Sequence, residues 1–344
     1  MAKRRLSKNQ TRRIRENLDA SVKRANTSET TITEDTTLGP ETRGRVVAHF
    51  GTQVEIECHK TQLRRRCHVR ANLEAGTKVV TGDNVVWRDG PDLGVVVSLE
   101  PRTSELNRPD PYGKLKPVAA NIDQIIVTIA PKPLPHYNLI DRYLVAAEIQ
   151  EIQPIIVLNK CDLVVDENIP KLQALENIYT SLGYTFLRIS AANSINMDAL
   201  TDHLQNKTSV FVGQSGVGKS SIVQTLLPEE TIKVGSLSEA DEQGRHTTTN
   251  SQLYRLVDNG FCIDSPGIRE FGLWYLNKHD VLRGFKEISN AADQCKFRDC
   301  AHASEPGCAI TKAIKSGEIQ SARFKSYQHI LSTIDDVAIR GAKG

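Results

Sequence analysis

Eight residues from Gly213 to Ser220, GQSGVGKS, fit the spacing G-x-x-x-x-G-K-[ST]. The apolar run VFV precedes them and SIVQTLL follows, so the sequence predicts strand, loop and helix in that order. Gly213, Gly216 and Gly218 let the backbone curl until its N–H groups point at one centre, which suits phosphate oxygens. Gln214, Ser215 and Val217 complete the loop, and the helix adds its positive N-terminal end. Lys219 can neutralise outer phosphates, Ser220 offers Mg²⁺ a hydroxyl, and Ser221 extends the set.

A second motif lies upstream. Asn159–Lys160–Cys161–Asp162 ends the apolar run QPIIVLNK. A carboxylate at Asp162 can accept from guanine N1–H and the exocyclic amine, a donor pair that adenine lacks, and burial would sharpen that choice. Asn159 would tie this turn to the phosphate loop, and the Lys160 stem would lie over the base. Ser190 and Ala191, at the end of TFLRIS, offer small side chains and backbone N–H groups near the guanine carbonyl. Cys161 is expected to fill space.

Two further segments supply switch chemistry. DSPG places Asp264 after an apolar strand, to hold Mg²⁺ through water, and Gly267 where its N–H would sense a γ-phosphate. GRHTTT offers Thr247, Thr248 and Thr249 to Mg²⁺ and the γ-phosphate. Ile268 stands where a water-orienting Gln is usual, so His246 is the candidate for that task, with a bound macromolecular partner as the alternative source of the missing group. A third cluster, Cys295-x₄-Cys300-x-His302-x₅-Cys308, has three thiolates and one imidazole, the donor set of a closed structural Zn²⁺ site. Cys58, Cys67 and Cys262 read as small buried residues.

The elements that must position these groups follow from the periodicity. Residues 1–42 form a basic arm and a polar, Thr-rich linker. Within 1–26 nine Lys/Arg face two acids, a net of +7, which leaves about −4 on the rest of a chain whose total is +3. Such an arm points to a polyanion. Residues 43–102 carry short β-branched runs punctuated by Gly, Asp and Asn, which predicts a small all-β, OB-like barrel. Residues 103–274 open with a Pro-punctuated connector to about 120. Apolar strands then alternate with helices, giving an α/β domain with a doubly wound, mainly parallel sheet. Residues 275–344 read as a helical domain around the zinc knuckle. No apolar run is long enough to cross a membrane, and cysteine usage points to a reducing, cytoplasmic setting. A monomer is expected.

The motif order is base turn, phosphate loop, switch threonines, D-x-x-G. A circular permutation of a P-loop GTPase domain explains it, because joining close termini and cutting elsewhere keeps every side chain in place. With that order, the barrel and the Cys/His cluster, nearly the whole chain resembles the circularly permuted, small-ribosomal-subunit-dependent GTPases of the ribosome biogenesis GTPase A type. The resemblance implies GTP hydrolysis with Mg²⁺, one structural Zn²⁺, binding to the small ribosomal subunit and its rRNA late in maturation, and turnover stimulated by that contact. Two other readings stay open: an rRNA-binding placeholder in which GTP is only an occupancy signal, and an ATP-dependent enzyme in which NKCD is accidental.

Overall fold

The computed structural model describes residues 38–70, 73, 78–109, 115–228, 251–264, 277–297, 300, 302 and 305–341. The basic arm with most of its linker, His246, Thr247, Thr248, Thr249, Gly267 and Ile268 lie outside the described residues.

Five strands, β1 (Glu41–Phe50), β2 (Gln53–Cys58), β3 (Arg64–Val69), β4 (Asn84–Arg88) and β5 (Gly94–Leu99), pair in the order β1-β2-β3-β5-β4. The pairing of β4 back to β1 closes the barrel. Alternation buries Val46, Val54, Ile56, Cys67, Val85, Trp87 and Val96 inside. A bulge in β1 between Val46 and Ala48 supplies part of the bend that closure needs. Cys58, Cys67 and Cys262 are buried as expected, and desolvation pushes the Cys67 thiol up to about 12.

The expected connector is partly structured. β6 (Glu105–Pro109) and β7 (Leu115–Ala120) form an antiparallel ribbon. Its prolines cost little there. Pro109 ends its strand, and Pro117 lies opposite Asn107 beside a bulge. Arg102 pins this ribbon to the barrel. Its guanidinium donates to both oxygens of the buried Asp83, at 2.7 and 2.8 Å, and to Glu105.

Next come β8 (Gln124–Ile129), α1 (Tyr137–Ile149), β9 (Gln153–Leu158), α2 (Ile169–Ser181), β10 (Thr185–Arg188), α3 (Met197–Leu204), β11 (Thr208–Val212), α4 (Lys219–Leu226), β12 (Gln252–Arg255) and β13 (Phe261–Asp264). The strand order is β10-β9-β8-β11-β13-β12, parallel except for β12. The interior strands are buried on both faces, which accounts for their near-continuous apolar sequences. A pairing of Ala48 with Gln252 joins β1 to β12, so barrel and α/β sheet run on as one eleven-stranded sheet.

The C-terminal helices are α5 (Lys278–Gly284), α6 (Lys286–Ala292), α7 (Ala309–Ser316) and α8 (Ser321–Gly341). Asn277 and Asp280 form a reciprocal capping box on α5. Phe285 and Tyr327 meet edge to face, 5.5 Å between centroids. The tie to the α/β domain is ionic. Arg323 of α8, 1% exposed, bonds Asp141 of α1, 0% exposed, and Glu287 of α6 at 2.7 Å. The Tyr179 hydroxyl of α2 donates to the same Asp141 oxygen at 2.6 Å. Burial works against the charge on Arg323, but Asp141 and Glu287 outweigh it and hold the guanidinium protonated.

Removing one member of such a pair strands the other in a dry interior. Arg323→Ala is expected to lower unfolding stability by about 3–5 kcal/mol, read from the urea midpoint of the helical circular dichroism signal. Asp141→Leu combined with Arg323→Met should recover most of that loss. An equal loss in both variants would place the effect elsewhere.

Candidate nucleotide site and metal-ligating cluster

The sheet delivers the motifs to one edge. Asn159 follows β9, Ser190 and Ala191 follow β10, Gly213 follows β11, and Asp264 ends β13; all leave the C-terminal ends of parallel strands, where open α/β sheets bind ligands.

Two glycines are required by crowding as well as by φ. A Cβ on Gly213 (φ +139°) would lie 2.1 Å from the Thr128 carbonyl oxygen. On Gly218 (φ +92°), the residue capping α4, it would lie 2.3 Å from Asn159 Nδ2. Lys219 curls back over the loop and donates to the carbonyls of Gly213 and Gln214, both at 2.8 Å. Ser215, Ser220 and Ser221 are exposed.

Asn159 joins the loops. It is 1% exposed and uses both ends of its amide. Nδ2 donates to the Val217 carbonyl at 3.0 Å, and Oδ1 accepts the Ala191 N–H at 3.1 Å. Lys160, held at φ +59°, sends its ammonium to the Gly216 carbonyl at 2.7 Å. The Cys161 N–H donates to the Ile189 carbonyl at 3.0 Å, and Ser190 is fully buried. Side-chain bonds between residues 32 to 58 positions apart in sequence thus form one unit. The Cys161 thiol is half-buried, its pKa raised by burial and by Asp162. The Asp162 side chain is exposed, not buried, on a short 3-10 turn, Cys161–Leu163, that buries none of its residues.

Lys219, Ser220 and Asp264 line one pocket with Phe211, Val223, Cys262 and Ile263. A hydroxyl and a carboxylate beside an ammonium are the hard oxygen donors and the counter-charge that Mg²⁺ with a polyphosphate calls for. The site also involves a residue without a sequence signal. Tyr143 of α1 is buried, which raises its pKa, and its hydroxyl faces the Gly213 backbone. Nothing in its local pattern separates it from its core neighbours Ile140 and Leu144.

The ligand atoms of Cys295, Cys300, His302 and Cys308 all lie within 4.8 Å of one another. His302 Nδ1 is 3.7 Å from Cys295 Sγ and 3.8 Å from Cys308 Sγ. Tetrahedral Zn²⁺ with bonds of about 2.0–2.3 Å has ligand–ligand edges of roughly 3.3–3.8 Å, so the cluster has the size and the donors of such a site.

A glycine-rich phosphate-type loop tied by a buried Asn to the NKCD turn that precedes it in the chain, with an OB-type barrel ahead and a Cys₃His cluster behind, defines a circularly permuted P-loop GTPase. The model of the RsgA GTPase family matches residues 99–274. The small ribosomal subunit biogenesis GTPase RsgA of Saccharophagus degradans is 48% identical over 99% of this chain and 100% of its own length. That of Pseudomonas aeruginosa PAO1 is 49% identical over 98% and 99%. Among solved structures, YjeQ from Thermotoga maritima superposes with a TM-score of 0.71 at 31% identity, covering 85% of this chain and 98% of that one. YloQ, a circularly permuted GTPase, gives 0.67 at 27% identity, with 89% and 98% covered. The chain belongs to the RsgA GTPase family.

Asn159→Ala leaves the Ala191 N–H and the Val217 carbonyl buried and unpaired, and is expected to cost about 1–3 kcal/mol, seen as a lower thermal midpoint without nucleotide. Asn159→Asp keeps the acceptor but cannot donate to Val217, so it should not restore the midpoint.

Proposed function

We propose that this protein hydrolyses GTP to GDP and phosphate on the small ribosomal subunit, late in that particle's maturation, with turnover raised by the contact. The observation that carries the reading is the Asn159 tie, which unites base turn and phosphate loop in a single site. Family membership and the names of the relatives support the subunit as partner.

In this reading the N–H groups of residues 213–218 and the Lys219 ammonium receive the phosphates, Lys219 exchanging its two carbonyls for phosphate oxygens. Asp162 reads guanine, with Lys160 over the ring and Ser190 and Ala191 beside the base. Ser220 and Asp264, with one of Thr247, Thr248 and Thr249, would hold Mg²⁺, which when bound offsets charge on the β- and γ-phosphates. Gly267 senses the γ-phosphate and His246 orients the attacking water. Cys295, Cys300, His302 and Cys308 hold one structural Zn²⁺, consistent with a donor set that leaves no position open. The barrel supplies the rRNA contact, supported by Arg64, Arg66 and His68 exposed along β3. Among the described residues no helix is long and apolar enough to cross a membrane. We take the working unit to be a monomer in the cytoplasm.

A GTPase assay with small subunits, and large subunits as control, tests the proposal. Equal rates in both would count against it, and nucleotide-dependent release without hydrolysis would favour the placeholder. His246→Ala should slow turnover with and without subunits; an unaltered rate removes it from the mechanism. Asp162→Asn is expected to reduce discrimination of GTP over ATP by about 100-fold in competition binding, and full discrimination would refute the base assignment. Metal analysis of the purified chain should give one zinc per molecule, and Cys308→Ser should release it and lower the unfolding midpoint of the C-terminal helices.

A further inference from the structure

Between the barrel and the β12–β13 hairpin lies a second cavity of about 270 Å³, many times the room one water needs. Arg45 and His59 enter it from the barrel, and Arg255, Asn259 and Phe261 from the hairpin. The guanidinium groups of Arg45 and Arg255 both lie over the Phe261 ring, 4.6 and 5.3 Å from its centroid. Two like charges therefore meet at one aromatic ring.

The carboxylate present does not balance them. Glu57 accepts from Arg255 at 2.9 Å with one oxygen and from Arg64 at 3.3 Å with the other. Arg45 is left with Nε and Nη1 buried and without hydrogen-bond partners. Desolvation lowers the pKa of Arg45, and Asp123 and Glu57 oppose it only at a distance. Burial and then Arg45 lower that of His59, leaving it neutral and able to donate one N–H. An unneutralised, partly desolvated cation beside a second one, with imidazole and amide donors on the walls, is the environment of a tetrahedral oxyanion.

We propose that this cavity is a phosphate-binding site, separate from the phosphate loop, in which Arg45 and Arg255 receive the oxygens of a phosphate group. That group comes from an RNA backbone or from free phosphate. An RNA source rests on the reading of the small subunit as partner. The position gives the site a consequence. Phe261 opens the strand that ends at Asp264, so a phosphate held here fastens the barrel to the strand that supplies the nucleotide pocket.

The test is calorimetric titration of the full chain with inorganic phosphate and, separately, with a five-nucleotide oligouridylate, GDP saturating the phosphate loop throughout. Circular dichroism checks each variant's fold. Arg45→Gln should weaken binding about tenfold and lower the salt slope by about one. Glu57→Gln removes the competing carboxylate and should tighten binding, so it carries the test alone if Arg45→Gln fails to fold. Oligouridylate responding alone assigns the site to a polynucleotide backbone, and inorganic phosphate responding assigns it to the free ion. No saturable binding of either probe, no change in either variant, or weakening in both overturns the site. Retained binding of whole small subunits beside such a result would leave the subunit reading standing.

Discussion

The candidate nucleotide site depends on one side-chain amide. Asn159 lies at the end of β9 between two loops that otherwise share no covalent neighbourhood, and both halves of its amide are spent on backbone groups of those loops. Burial gives the arrangement its stringency. A buried amide with donor and acceptor both satisfied has one orientation, and the loops must adopt matching ones. Gly218 belongs to the same constraint, because the space a side chain would take there is occupied by the Asn159 amide. The phosphate loop is thus shaped from outside by the base turn as well as by its own glycines.

That dependence explains how the chain tolerates its unusual order. Strands β8, β9, β10, β11 and β13 meet side by side whatever the sequence of their connections, and the amide acts across space. The permutation moves the chain ends to either side of the α/β domain, and both additions are then fastened back. The barrel is continuous with the sheet through Ala48 and Gln252 and is pinned to the following ribbon by Arg102 and Asp83. The C-terminal helices are held by Arg323 against α1 and α2.

Much of this was legible in the sequence, for definable reasons. GQSGVGKS, NKCD and the Cys₃His spacing are local patterns whose chemistry fixes their surroundings, and the apolar strands of the α/β domain announce double-sided burial. The barrel was readable from alternation in runs such as VEIEC. The ribbon of β6 and β7 was not, because Pro109 and Pro117 read as breakers and only pairing geometry shows that neither interrupts an essential ladder bond. Burial of Asp162 would have sharpened its choice of base, but its exposure depends on the turn that carries it. Arg323, Asp141 and Tyr143 gave no signal. Each sits on an amphipathic helix where a single charge or hydroxyl looks like surface, and its partner lies on another element.

The pairing of Asp141 with Arg323 spans 182 positions. Chains are made from the N-terminus, and domains fold as they emerge. The acid is therefore in place, and its surroundings ready to pack, long before its cation has been translated. Until α8 arrives, the nucleotide domain must leave that corner wet or protonate the carboxylate. A chain broken off before residue 323 never completes that interior.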